Sequence, residues 1–213
     1  MNMQAKFIAF DLETTGLSPK TDQIIEFGAI KFTVEKKNGM MVPKILGEFE
    51  SLVNPNMMIP PQATRVNNIT DDMVANAPTV AKVLRQFTAF CGQDTFWVAH
   101  NADFDANFLR AAYKNNPQFL PTSPIFDSLK IARTLMSASS YRLGELAKTL
   151  KFQNQISLDL DSAELHRALY DCEVLAEVFV ALLRRRLKDS DFGMASFLPA
   201  ILKIQPEPIY LHK

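Results

Sequence analysis

Four apolar residues, Phe7-Ile8-Ala9-Phe10, run straight into Asp11-Leu12-Glu13. An unbroken apolar run this short marks a strand buried on both faces. The chain must therefore place carboxylates at the end of a central strand. Ile24 to Val34 is rich in β-branched and aromatic residues and reads as a second strand. Lys37-Asn38-Gly39 carries a hairpin signal, with Met40 to Lys44 predicting a connection longer than a tight turn. Ile45 to Val53 is the third strand, closed by Asn54-Pro55.

Helical spacing then takes over. Val80, Val83, Leu84, Phe87 and Phe90 mark one helix, followed by a strand at Thr95 to Ala99. Phe104, Phe108, Leu109, Ala112 and Tyr113 mark the next, and Ile125-Phe126 leads from a short strand into a helix capped by Asp127 or Ser128. Leu175, Val178, Phe179, Leu182 and Leu183 form the last long helix, which ends near Arg184-Arg185-Arg186. Hairpin-joined strands followed by strands alternating with helices predict an α/β fold with a mixed sheet covered by helices.

Composition bounds the function classes. The 213 residues suit one domain with an appendage, and 47% hydrophobic content reads as globular. No apolar run approaches the roughly 20 residues of a membrane span, so no membrane partner is expected. The start shows no signal-peptide pattern, and Cys91 and Cys172 lie far apart in apolar segments, which fits a reducing cytoplasm. With 23 basic and 23 acidic residues, the balance disfavours holding long duplex DNA by bulk charge. It leaves room for a grip on a few nucleotides at a strand end. Residues 1–189 read as the domain. The tail, 190–213, is apolar but interrupted by Pro199, Pro206 and Pro208; it either packs on the domain or contacts a partner.

Residues two apart on a strand share a face, so Asp11 and Glu13 stand side by side. A divalent cation would relieve their repulsion, although acids are also common in turns, and Thr14-Thr15-Gly16 follows. Asp103 and Asp105 open the next candidate segment. Asp103 suits an N-cap and Asp105 the first helical turn, and position does not choose between them as site acid. Asp171 lies on the apolar stripe with Leu175, Val178 and Leu182. Neither Val174 nor Leu175, at i+3 and i+4, is a cation, and a carboxylate so placed signals a site. His166, five residues earlier, would sit about 140° around a regular helix from Asp171, which predicts a loop or frayed turn for it. A lone histidine is more often merely exposed or satisfied in the core, so His166 gains a role only from the rest of the constellation.

Phe10-Asp11-Leu12-Glu13-Thr14-Thr15-Gly16, Val98-Ala99-His100-Asn101-Ala102-Asp103-Phe104-Asp105 and His166-Arg167-Ala168-Leu169-Tyr170-Asp171 resemble, in order, the three motifs of the DnaQ-like DEDDh exonuclease superfamily. The details look closest to the exonuclease X branch, with the proofreading ε subunit of DNA polymerase III next. The resemblance covers roughly Lys6 to Leu187 and implies a ribonuclease H-like fold with a five-stranded mixed sheet. It selects Asp105 over Asp103, which is left as a cap. One departure is Asn67-Asn68 before Ile69-Thr70, where many relatives carry His-Gly.

The resemblance implies 3′–5′ hydrolysis of DNA ends, releasing nucleoside 5′-monophosphates in repair or proofreading. Asp11, Glu13, Asp105 and Asp171 would hold two Mg²⁺ or Mn²⁺ ions, and His166 would act as general base. Thr14, Thr15, Leu17 and Phe104 would receive the terminal nucleotide, although core packing is the slightly favoured reading of Phe104. Expected partners are single-stranded or 3′-end DNA, with RNA as the rival substrate, as in oligoribonuclease or ribonuclease T. A polymerase or a second copy would be the partner of the tail. A non-catalytic binding module is the rival of another class, and no motif ligand is missing to favour it.

Overall fold

The computed structural model describes residues 3–158, 160 and 167–212. Five strands form one sheet: β1 (Lys6–Thr14), β2 (Ile24–Lys37), β3 (Met40–Leu52), β4 (Thr95–Ala99) and β5 (Ile125–Asp127), in the order β3-β2-β1-β4-β5. β1 pairs antiparallel with β2 and parallel with β4, β2 is antiparallel to β3, and β4 is parallel to β5. This is the mixed α/β sheet the sequence predicts. The apolar run makes β1 its centre.

Alternation along β1 sorts its side chains into two cores. Phe7 and Ala9 join the cluster beneath α5 (Ser128–Leu135), α6 (Leu143–Phe152) and α7 (Ala168–Arg184). Ile8, Phe10 and Leu12 join the opposite cluster with α3 (Val80–Cys91) and α4 (Asp103–Lys114). Odd positions therefore face α7. α7 can approach closely because Gly28 lies beneath it: a Cβ there would stand 2.4 Å from the Ala168 carbonyl carbon. Two short helices, α1 (Pro61–Asn67) and α2 (Asp71–Val74), cover a small third cluster around Ile25, Ile59 and Ile69.

The tail is built into this frame. The Ala5 N–H donates to Phe192 O, and the Met194 N–H to Met3 O. α8 (Met194–Ile201) sets the fully buried Phe197 ring 4.7 Å from Phe7 and 4.8 Å from Phe96. Farther on, Ile209 exchanges two backbone hydrogen bonds with Ile125 and covers the edge of β5.

Three expectations change. The hairpin is tight: β2 reaches Lys37 and β3 begins at Met40, because Asn38 (φ 51°) and Gly39 (φ 81°) both take the positive φ of a two-residue turn. Asp103 does not cap α4; the cap position is Ala102, and Asp103 instead pairs with Lys130 at 2.7 Å. α1, α2 and α6 were not marked by the apolar spacing, the first two being only 7 and 4 residues long. Asp127 does cap α5, accepting from the Leu129 N–H at 2.9 Å. Both cysteines are buried and free. No helix among the described residues is long and apolar enough to cross a membrane.

Candidate active site

Because odd residues of β1 face α7, Asp11 and Glu13 point towards the first turn of that helix. Asp171 stands there, above Leu175, Val178 and Leu182, which are all buried. Asp11, Glu13 and Asp171 each present an oxygen, all within 4.8 Å of one another. Asp105 comes from the other layer, in the first turn of α4, and is 2% exposed. The backbone N–H groups of Asp105 and Leu12 lie near enough to favour its charged form, and its Oδ1 has no hydrogen-bond partner among the described residues.

Electrostatics follow from this crowding. Burial, then the charges of Asp105, Glu13 and Asp171, hold the Asp11 carboxyl well above its usual range. Burial and the charge of Glu26 are the main causes that push Glu13 up to about 8. Asp105 is raised chiefly by burial. Carboxyls brought together in this way favour either protons or a cation.

Neighbouring groups fix the geometry. Glu26, opposite Glu13 in the register, accepts from Arg167 at 3.0 Å and from the Ala168 N–H at 3.3 Å. Arg167 also reaches Glu50 at 3.0 Å. Asn67 is 2% exposed, donates to Thr14 O and accepts from the Ile69 N–H through its Oδ1, which sets its amide beside Glu13, whose charged form it favours. Asn68 takes φ 59°, a conformation that glycine and asparagine tolerate best.

Beside the carboxylates lies a cavity of about 350 Å³ lined by Leu12 to Leu17, part of α1 and Phe104. Leu17 and Val66 stand exposed at its rim, at 84% and 64%. Phe104 is half-buried, packs on Phe108 at 5.0 Å and also lines the cavity. The two threonine hydroxyls are engaged locally, Thr14 donating to Gly16 O and Thr15 accepting from the Gln23 N–H. His166 lies outside the described residues.

Sequence reasoning missed Asn67, Val66, Glu26 and Arg167 as site-building residues. Glu26 had a readable signal, an acid inside the apolar run Ile24 to Ile30. The α1 residues had none, since only the fold brings that helix to the end of β1.

Residues 8–179 match the family model described as Exonuclease. The chain belongs to that family. This exonuclease is 37% identical over 180 residues to the PolC-type DNA polymerase III of Oceanobacillus iheyensis, covering 84% of this chain and 11% of the polymerase. The Bacillus subtilis PolC-type polymerase is likewise 37% identical over 180 residues, with the same coverage. The exonuclease thus spans about a tenth of the length of these relatives. Among solved structures, exonuclease X in complex with 5′-overhanging duplex DNA aligns with a TM-score of 0.62 and 26% identity, covering 89% of this chain and 99% of that one. An Escherichia coli exonuclease I–single-stranded DNA complex aligns at 0.68 and 19% identity over 92% of this chain and 43% of that one, a likeness of fold. Together they identify a DnaQ-like exonuclease with the ribonuclease H-like fold.

Proposed function

We propose that this chain removes nucleotides from the 3′ ends of DNA, releasing nucleoside 5′-monophosphates, with two Mg²⁺ or Mn²⁺ ions held by Asp11, Glu13, Asp105 and Asp171. The observation that carries the reading is the convergence of Asp11, Glu13 and Asp171 within 4.8 Å beside an apolar cavity. The donor set fits hard cations: it is all oxygen, burial and neighbouring carboxylates raise the Asp11, Glu13 and Asp105 carboxyls, and Asp105 Oδ1 lacks a partner among the described residues. Bound there, the ions would supply Lewis-acid stabilisation of the phosphoryl oxygens and a more acidic water.

The protein's own residues perform the rest. Leu17, Val66 and Phe104 offer apolar surface to the terminal base, which would set its phosphate against the carboxylates. Thr14 and Thr15 shape the turn and offer backbone groups to the sugar. His166, as a neutral imidazole, would take the proton of the attacking water, a task suited to a pKa near neutrality. The DNA preference draws support from the relatives, which are named as DNA polymerases, and from exonuclease X, solved with DNA.

The test is incubation with 3′-labelled and 5′-labelled DNA and RNA oligonucleotides, with Mg²⁺ and then Mn²⁺. Mononucleotides released from DNA 3′ ends are expected, with EDTA abolishing release. Cleavage of RNA alone would overturn the DNA assignment, and activity unchanged by EDTA would overturn the metal site.

A further inference from the structure

The C-terminal ends of β1, β4 and β5 lie at one edge of the sheet. Asp11 and His100 each stand two residues past the paired Ala9 and Val98, and Asp127 pairs with Ala99. His100 is therefore one strand spacing from Asp11 and Ser128 two, about 10 Å along that edge. There the chain forms a second groove, with Arg133 and Arg142 on its walls and no acidic residue in its lining among the described residues.

The groove is firmly built. His100 Nε2 donates to the Tyr141 carbonyl at 2.8 Å, which leaves Nδ1 to accept from the Ser128 hydroxyl at 2.8 Å. Burial lowers the His100 pKa, so the imidazole is a neutral peg between the strand end and the loop before α6. That loop presents the Tyr141 ring, and the Arg133 guanidinium lies over it at 5.6 Å. Both arginines are exposed, and among the described residues neither forms an ion pair with a carboxylate. In a chain of zero net charge, two guanidinium groups that no carboxylate among the described residues pairs with are a local anion site. A second basic hollow, around Arg186 and Lys203, includes Asp191 and lies past the far end of the 17-residue α7, about 25 Å from Asp171.

We infer that the Arg133–Arg142 groove holds the phosphodiester backbone of the strand whose 3′ end occupies the carboxylate site. This rests on the exonuclease reading above and adds where the rest of the strand lies. The groove would read charge and not sequence, because guanidinium–phosphate contacts carry no base information. It also reconciles a neutral protein with a polyanionic substrate: the grip is local and confined to nucleotides near the end.

The test compares wild type with Arg133→Gln/Arg142→Gln, measuring binding of fluorescein-labelled oligo-dT by anisotropy in EDTA, where no turnover is needed. Glutamine keeps much of the stem, and thermal unfolding checks that the fold is retained. The dissociation constant should rise about tenfold or more, and the slope of log affinity against log salt should become less negative by about 1.4, two phosphate contacts' worth for a single strand. For the turnover of longer oligonucleotides KM should rise, with little change for a dinucleotide. Unchanged affinity and salt slope would overturn the inference, even if the variant lost retention of an acidic peptide such as polyglutamate. An equal KM rise for dinucleotide and oligomer would also overturn it, since displaced catalytic residues would produce that pattern. Failure of wild-type turnover would instead count against the exonuclease reading, leaving the binding result to decide the groove.

Discussion

Glu26 and Arg167 meet at 3.0 Å across the junction of β2 and α7, the carboxylate fully buried and the guanidinium side chain 41% exposed. The pair joins the strand opposite Glu13 to the residue just before the helix that carries Asp171. Burial still raises the Glu26 pKa despite the arginine, so desolvation outweighs the attraction. Arg167→Ala would leave a buried carboxylate without its cation. The expected cost is about 2–3 kcal/mol, below that of a fully buried pair because Arg167 is partly in water. Glu26→Gln should cost less, and the double variant should recover part of the loss in urea unfolding. A wild-type urea midpoint for Arg167→Ala would mean the pair contributes nothing to stability.

Glu13 gives a pH dependence of definite sign. Its folded pKa, about 8, lies above the unfolded carboxylate range of about 4.3. The stabilisation it brings is complete below the unfolded value and is lost as pH rises through the folded one. In EDTA, the melting temperature of wild type should fall between about pH 5 and pH 8 more steeply than that of Glu13→Gln, which has no proton to lose. Mg²⁺ or Mn²⁺ should restore more stability at pH 8 than at pH 5, since cation and proton compete for the same oxygens. Parallel pH profiles of wild type and variant would dismiss the perturbed Glu13.

Asn67 ties Glu13 to the loop after β1. Asn67→Ala removes its donation to Thr14 O, the acceptor for the Ile69 N–H and a polar neighbour that favours the charged form of Glu13. Groups that orient metal ligands typically change affinity or activity about 10–100-fold when removed. The Mg²⁺ concentration giving half-maximal activity should therefore rise by at least about tenfold. An unchanged metal requirement would reduce Asn67 to a purely structural residue. At the next position, Asn68→Gly should be tolerated, whereas Asn68→Val should lose about 1–2 kcal/mol because its φ is 59°.

The sequence was most legible where local chemistry and fold agree. The apolar run before Asp11 announced the central strand, and the helical stripe placed Asp171 against it. Both signals come from periodicity, which survives in a single chain. Asp105 was different: spacing left it tied with Asp103, and only motif order separated them. In the structure Asp105 is buried near Asp11, whereas Asp103 pairs with Lys130. The residues that orient the site were harder to read. Asn67, Glu26 and Arg167 act across 53, 142 and 117 residues of chain in their bonds to Thr14, Ala168 and Glu50, and no local pattern encodes such distances. The hairpin failed for the opposite reason: the Asn-Gly signal was right, but weight given to Met40 to Lys44 lengthened a turn that two positive-φ residues close by themselves.

His166 is the remaining test of the proposed chemistry. His166→Ala should keep the wild-type melting temperature and lower turnover at neutral pH by at least about 10²-fold, the usual share of a general base. The acidic limb of the rate profile should flatten along with it, because the variant has no imidazole to deprotonate. Near-wild-type rates with Mg²⁺ would remove His166 from the mechanism.

Phe197 decides whether the last residues belong to the domain. Its ring meets Phe7, Phe96, Phe126 and Phe179, joining α8 to β1, β4, β5 and α7 in one aromatic cluster. Phe197→Ala removes most of a fully buried aromatic side chain and should cost about 3–5 kcal/mol, measured as a lower urea midpoint. Truncation before Ser190 should be worse, since it also strips Ile209 from the edge of β5 and Gln205 from the Asp127 N–H. If instead the truncated protein melts like the full chain and differs only in apparent size at high concentration, the segment is a contact for another copy and the cluster around Phe197 is not needed for folding.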